Sequence, residues 1–72
     1  MNFHTAIYNR ILEPKYFKVY NCIEAMNKSN RISVKTSYKK DIIQHLADII
    51  YIKDEHGINY TEDLKLLEKY NK

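Results

Sequence analysis

Residues 36–53, TSYKKDIIQHLADIIYIK, constrain the whole chain, because their apolar positions repeat with a helical period. At about 100° per residue, Ile42, Ile43, Leu46, Ala47, Ile49 and Ile50 fall in one arc of about 160°. Asp41, Gln44, His45 and Asp48 take the rest of the circumference, and Lys53, as a charged residue, is assigned with them to the polar side. One neighbour cannot cover so wide an arc, so this stretch reads as the central helix of a small bundle, touched by at least two others. The β-branched and aromatic run at 49–52 also suits a strand. Helical spacing persists from Ile42 to Ile50, which favours helix to about residue 52.

The flanking segments supply the partners. Phe3, Ile7 and Ile11 stand at i, i+4 and i+8, the stripe of a short helix over about 3–12, although a strand is tolerable there. Pro14 disfavours helical geometry at Glu13 and suits the first position of a new helix. A tight turn is therefore expected ahead of it, with an antiparallel or steeply crossed pair following. Over 14–28, Tyr16, Val19, Tyr20, Cys22, Ile23 and Met26 share one helix face, and Phe17 falls outside it, half exposed. Residues 29–35 carry no helical period and read as a connector, with a short extended piece near 31–35 centred on Ile32–Val34. Gly57, in DEHGIN, is the natural left-handed stop for the central helix. The last helix, about 60–70, has Asn59 with Glu62 as a capping box or Thr61 as a simpler cap. Its stripe is Tyr60, Leu64, Leu67 and Tyr70, widened by Leu66. The expectation is one all-α domain over 1–72, a bundle of three to four helices.

Charge is divided along the chain. Residues 1–40 hold eight Lys/Arg and two Glu, while residues 41–72 hold four Lys and seven Asp/Glu, so an overall +3 conceals +6 and −3 halves. No acid lies between Glu24 and Asp41, yet Lys28, Arg31, Lys35, Lys39 and Lys40 do, among Ser37, Tyr38 and other small polar residues. Cations mixed with hydroxyl and amide donors are what phosphate backbones call for. The head of the central helix concentrates them. Thr36 or Ser37 would cap free N–H groups, while Lys35, Lys39 and Lys40 set positive charge against the macrodipole, an arrangement suited to an anion. The same lysines also arise simply as solvated charge on a surface helix.

Catalytic patterns are missing. His4, His45 and His56 do not stand at zinc-ligand spacing, there is one cysteine, Cys22, and no glycine-rich phosphate loop occurs. Asp41, His45 and Asp48 share a helix side, which a solvated polar face explains. No enzyme, metal or cofactor is expected. A helix-turn-helix is not evident either, because a connector of about seven residues exceeds the usual turn of 3–4 residues. A lone cysteine, with no signal peptide and no apolar run of membrane-spanning length, leads to an expected cytoplasmic protein.

Two functions remain. One is a non-enzymatic regulatory protein associated with nucleic acid through a basic 28–40 surface comprising Lys28, Arg31, Lys35, Ser37, Tyr38, Lys39 and Lys40. The other is a protein-binding modulator of a host protein, encoded by a phage or other mobile element, with Tyr8, Phe17 and Tyr51 as interface aromatics. Asn, Lys, Ile and Tyr make up 34 of 72 residues, a bias of AT-rich codons that fits such a source. A homodimer through the exposed edge of the central helix is compatible with both.

Overall fold

The structure, a computed structural model, describes Ala6 and residues 8–71, with Tyr8 and Asn9 as backbone alone. Among the described residues it has three α-helices and no strand. Helix α1 spans Glu13–Lys28, α2 spans Ile32–Glu55 and α3 spans Thr61–Tyr70. A π-helical turn, Tyr8–Leu12, leads directly into α1. Of the expected first helix, Phe3 and Ile7 lie outside the described residues.

The turn expected ahead of Pro14 is absent. Leu12, at φ −81° and ψ −34°, is right-handed helical, and no break separates the π turn from α1. A proline ring collides with the carbonyl four residues back in a regular α-helix. The wider π turn before Pro14 relieves that collision, so no antiparallel or crossed pair forms there.

The connector between α1 and α2 is also shorter than its polar sequence implies. Only Ser29, Asn30 and Arg31 are non-helical, and the extended piece expected near 31–35 is helix instead. The Lys35 N–H donates to the Arg31 carbonyl at 3.0 Å, and the Thr36 hydroxyl donates back to the Ile32 carbonyl at 2.9 Å. Weak helix propensity in β-branched residues costs only about 0.5 kcal/mol each, which extension of an already formed helix overrides.

Helices α1 and α2 run antiparallel, because the residues they bring together descend in one as they rise in the other. Lys15 Nζ lies 4.0 Å from Asp48, Lys53 Nζ lies 5.3 Å from the Tyr16 ring centroid, and the charge of Asp41 acts on Cys22. The second turn closes as a Schellman motif. Ile58 N–H donates to the Lys53 carbonyl at 2.8 Å and Gly57 N–H to that of Asp54 at 3.2 Å, with Gly57 at φ +68° as its pattern required. Asn59 then accepts the Thr61 N–H at 2.9 Å, one position outside the cap residue Tyr60, which makes no side-chain cap bond; the expected capping box is not used.

Leu12, Val19, Ile42, Leu46 and Ile49 are fully buried, with Tyr16, Cys22, Ile23, Met26, Ile52, Leu66, Leu67 and Tyr70 packed around them. Several expectations shift here. On α2 the buried line is Ile42, Leu46, Ile49 and Lys53, while Ala47 is exposed and Ile43 and Ile50 are half-buried. Tyr20, assigned to the inner face of α1, is 60% exposed. Leu64 is exposed and Asp63 is buried in its stead. Lys53, assigned to the polar side, is buried against Asp63 at 2.6 Å, and the Tyr16 hydroxyl donates to the other carboxylate oxygen at 2.5 Å. One carboxylate thus ties together all three helices.

The molecule measures 44 × 20 × 14 Å and its radius of gyration is 13.2 Å, against about 11 Å for a rounded domain of this length. The excess comes from the hairpin. No hydrophobic residue between Met26 in α1 and Ile42 in α2 belongs to the core or packs against it, so the residues between form a two-helix arm projecting from the core.

Breaking a buried ion pair from one side costs about 3–5 kcal/mol, as much as a small domain's whole stability. Lys53→Ala is therefore expected to be largely unfolded at 25 °C. The triple change Tyr16→Phe, Lys53→Met, Asp63→Leu removes every partner at once and should remain folded, within about 1–2 kcal/mol of the parent. Urea denaturation followed by helical circular dichroism distinguishes the two; equal stability of Lys53→Ala and the parent would show that the pair is not structural.

Candidate functional site

The arm carries the basic residues. Lys28 ends α1, Arg31 sits in the connector, and Lys35, Ser37, Tyr38, Lys39 and Lys40 occupy the first half of α2. Lys28, Arg31, Lys35, Ser37 and Lys40 are exposed, whereas Tyr38 and Lys39 are half-buried.

The anion site anticipated at 36–40 is not built as expected. Helix α2 begins a full turn earlier, at Ile32, so the amides of 36–40 lie inside the helix and Thr36 and Ser37 cap nothing. The cap position is Arg31, without a side-chain cap bond. Helical spacing also divides the cations. Lys35 and Lys39 follow the line that continues into Ile42, Leu46 and Ile49, while Ser37 and Lys40 fall toward the opposite side. The result is positive charge wrapped around the arm rather than a single flat stripe.

Lys28 contributes least to that charge, since its ammonium bonds Glu24 at 2.8 Å one turn back. The hydrogen bond and charge of Lys28 hold the Glu24 carboxyl below its usual range, and the same bond raises Lys28. The pair's contribution fades as acid protonates Glu24 or as strong base neutralises Lys28, and it is complete at neutral pH.

The three-residue connector removes the length objection to a helix-turn-helix, but the antiparallel hairpin supplies a better one. That motif sets its helices at about 90–120° so that the second can lie in a groove. Here α2 is flanked by α1 instead.

Of the interface aromatics, Phe17 is 68% and Tyr51 67% exposed, and the Tyr8 side chain lies outside the described residues. Phe17 lines a shallow depression with Glu13, Pro14 and Lys18. Asp48 accepts from Gln44 at 3.2 Å, and no group of three or more potential metal ligands occurs among the described residues. No helix among them is long and apolar enough to cross a membrane.

Sequence reasoning missed a second feature, an open groove of about 620 Å³ at the core end. Its lining includes Glu13, Tyr16, Tyr20, Lys53, Glu62 and Asp63. The Tyr16 and Tyr20 rings stack with centroids 6.3 Å apart at 21°. Only their i, i+4 spacing was visible beforehand, because the groove forms where the ends of three helices meet. Comparison with known protein families, curated proteins and solved structures found no match to this chain.

Cys22 is half-buried on the inner side of α1. Burial first, and then the charge of Asp41, push its thiol above the ordinary value, which leaves little reactive thiolate near neutrality. Alkylation by iodoacetamide at neutral pH is expected to be slower in the folded protein than in urea; equal rates would place the thiol in open solvent.

Proposed function

We propose that this protein is a non-enzymatic, nucleic-acid-associated regulatory protein that contacts the phosphate backbone through its basic arm. The observation that carries this reading is the placement of an acid-free run. Between Glu24 and Asp41 every charged residue is a cation, and the hairpin holds that run out from the core. Arg31, Lys35 and Lys40 are the main contacts, with Lys28 weakened by Glu24 and Lys39 only half-exposed. Ser37 and Tyr38 add hydroxyl donors of the kind that position a protein on phosphates. Charge spread around an arm, with no helix set for a groove, favours binding that is independent of base sequence.

A protein-binding modulator acting on a host protein is the second reading. It is favoured by the exposure of Phe17 and Tyr51, each about two-thirds accessible, since aromatics left in solvent are enriched at interfaces.

Fluorescence anisotropy with mixed-sequence DNA and RNA, over about a tenfold range of KCl, separates the two. Three phosphate contacts on duplex DNA give a slope of about −2.7 for log K against log salt, and each of Arg31→Ala, Lys35→Ala and Lys40→Ala should reduce it by about 1. Phe17→Ser with Tyr51→Ser should leave it unchanged. Binding that is absent at low salt, or indifferent to the triple alanine variant, overturns the first reading.

A further inference from the structure

We propose that this chain associates with itself head to tail, the hairpin tip of one copy seating in the tyrosine-lined groove of the next. The tip has a feature that its own fold does not use. Ile32, the first residue of α2, is 82% exposed, and the exposed cations Arg31 and Lys35 flank it in sequence. This is a small apolar knob bounded by positive charge.

The groove is its complement. Tyr20 offers a ring that is 60% exposed, Glu13 and Glu62 stand at its edge, and the Glu62 side chain is 90% exposed. Its Lys53 and Asp63 neutralise each other, which leaves Glu13 and Glu62 as the other charged groups of its lining, with Lys65 and Lys69 in the adjoining depression over the same rings. A ring here already faces an ammonium, since Lys53 Nζ lies 5.3 Å from the Tyr16 centroid. Lys65 lies 3.7 Å from Glu62, but both are solvent-exposed and hold each other weakly, so an incoming cation can displace it. At about 620 Å³ the groove falls within the range that accommodates a compact ligand.

No chain can fill its own groove. The groove runs along α1 from Glu13 to Tyr20 and the tip follows the end of that helix, eight residues or about 12 Å beyond Tyr20 along a rigid helix. A second copy must supply the tip. Contact between two different patches is heterologous and repeats from copy to copy. It goes beyond the nucleic-acid reading and does not require it, although phosphate and groove would compete for Arg31 and Lys35.

The test is sedimentation equilibrium at low salt, without nucleic acid, up to about 1 mM chain, a concentration that reveals even a millimolar contact. The wild-type average mass is expected to climb past that of a dimer and to fall back as salt is added. A tip variant, Ile32→Asp with Lys35→Glu, places acids in the first turn of α2, where they suit the dipole, and should remain folded and monomeric. A groove variant, Glu13→Gln with Glu62→Gln, removes the edge acids without offering cations to an acidic tip and should also be monomeric, with its helix content checked by circular dichroism. Mixed in equal amounts, the tip and groove variants retain one working groove and one working tip, and should form a 1:1 dimer and nothing larger. A two-fold dimer with reciprocal tip and groove contacts would instead hold the wild-type mass at that of a dimer, which the climb past it excludes. Wild type that stays monomeric, a tip variant that associates like wild type, or a mixture that stays monomeric overturns the proposal. The groove variant keeps its arm, so its DNA binding is expected to persist, which separates failure here from failure of the nucleic-acid reading.

Discussion

The carboxylate of Asp63 is the point on which the three-helix arrangement depends. It accepts the Lys53 ammonium from α2 and the Tyr16 hydroxyl from α1 while belonging to α3. Both charges stand where the backbone favours them, Lys53 in the last turn of α2 and Asp63 in the first turn of α3. Helix α3 has ten residues, too few to persist alone in water. Leu66, Leu67 and Tyr70 give it apolar contact, but apolar contact alone tolerates rotation and sliding. A buried pair with a fixed partner does not, so it sets the register of α3 even though an apolar replacement could equal it in energy.

Once α3 is fixed at one end, the rest of the architecture follows from length. Helix α2 has 24 residues, about 36 Å, and α3 covers only part of it. The remainder pairs with α1 alone, so the fold becomes a packed end and a two-helix arm. Charge is uneven along the same axis. The acid-free segment falls on the arm, while the packed end mixes acids with cations and sets Glu13, Glu62 and Asp63 around the groove. A cationic tip and an acid-edged groove at opposite ends of an elongated body link the two proposals, because any partner that engages the arm competes with the far end of another copy.

Much of the fold was legible from local pattern. Ile42, Leu46 and Ile49 emerge as core from spacing alone, and Gly57 as a left-handed stop from its lack of a side chain. The errors share a cause. Ile32–Val34 resemble strand, and Pro14 resembles a break, when judged by intrinsic preference; helix extension and a π turn overrode both. Moving the start of α2 by one turn also dismantled the expected anion site at 36–40, since that site relied on amides being free. The basic residues themselves stayed in place on the arm, because exposure of charge near a loop requires no tertiary information.

The sequence by itself determined that the chain is helical, that the core of its central helix lies within the arc holding Ile42, Leu46 and Ile49, and where positive charge accumulates. These are properties of spacing along one strand of chain, and spacing is written in the order of residues. Only the tertiary structure decided that Lys53 and Asp63 would be buried together, that Tyr20 would face solvent, and that a groove would open between helix ends. Lys53 lies in the same line as Ile49 on α2, yet a lysine at that position reads as solvated until its partner is known. Desolvating a charge is favourable only with a counter-charge at hydrogen-bonding distance, and that counter-charge came from another helix.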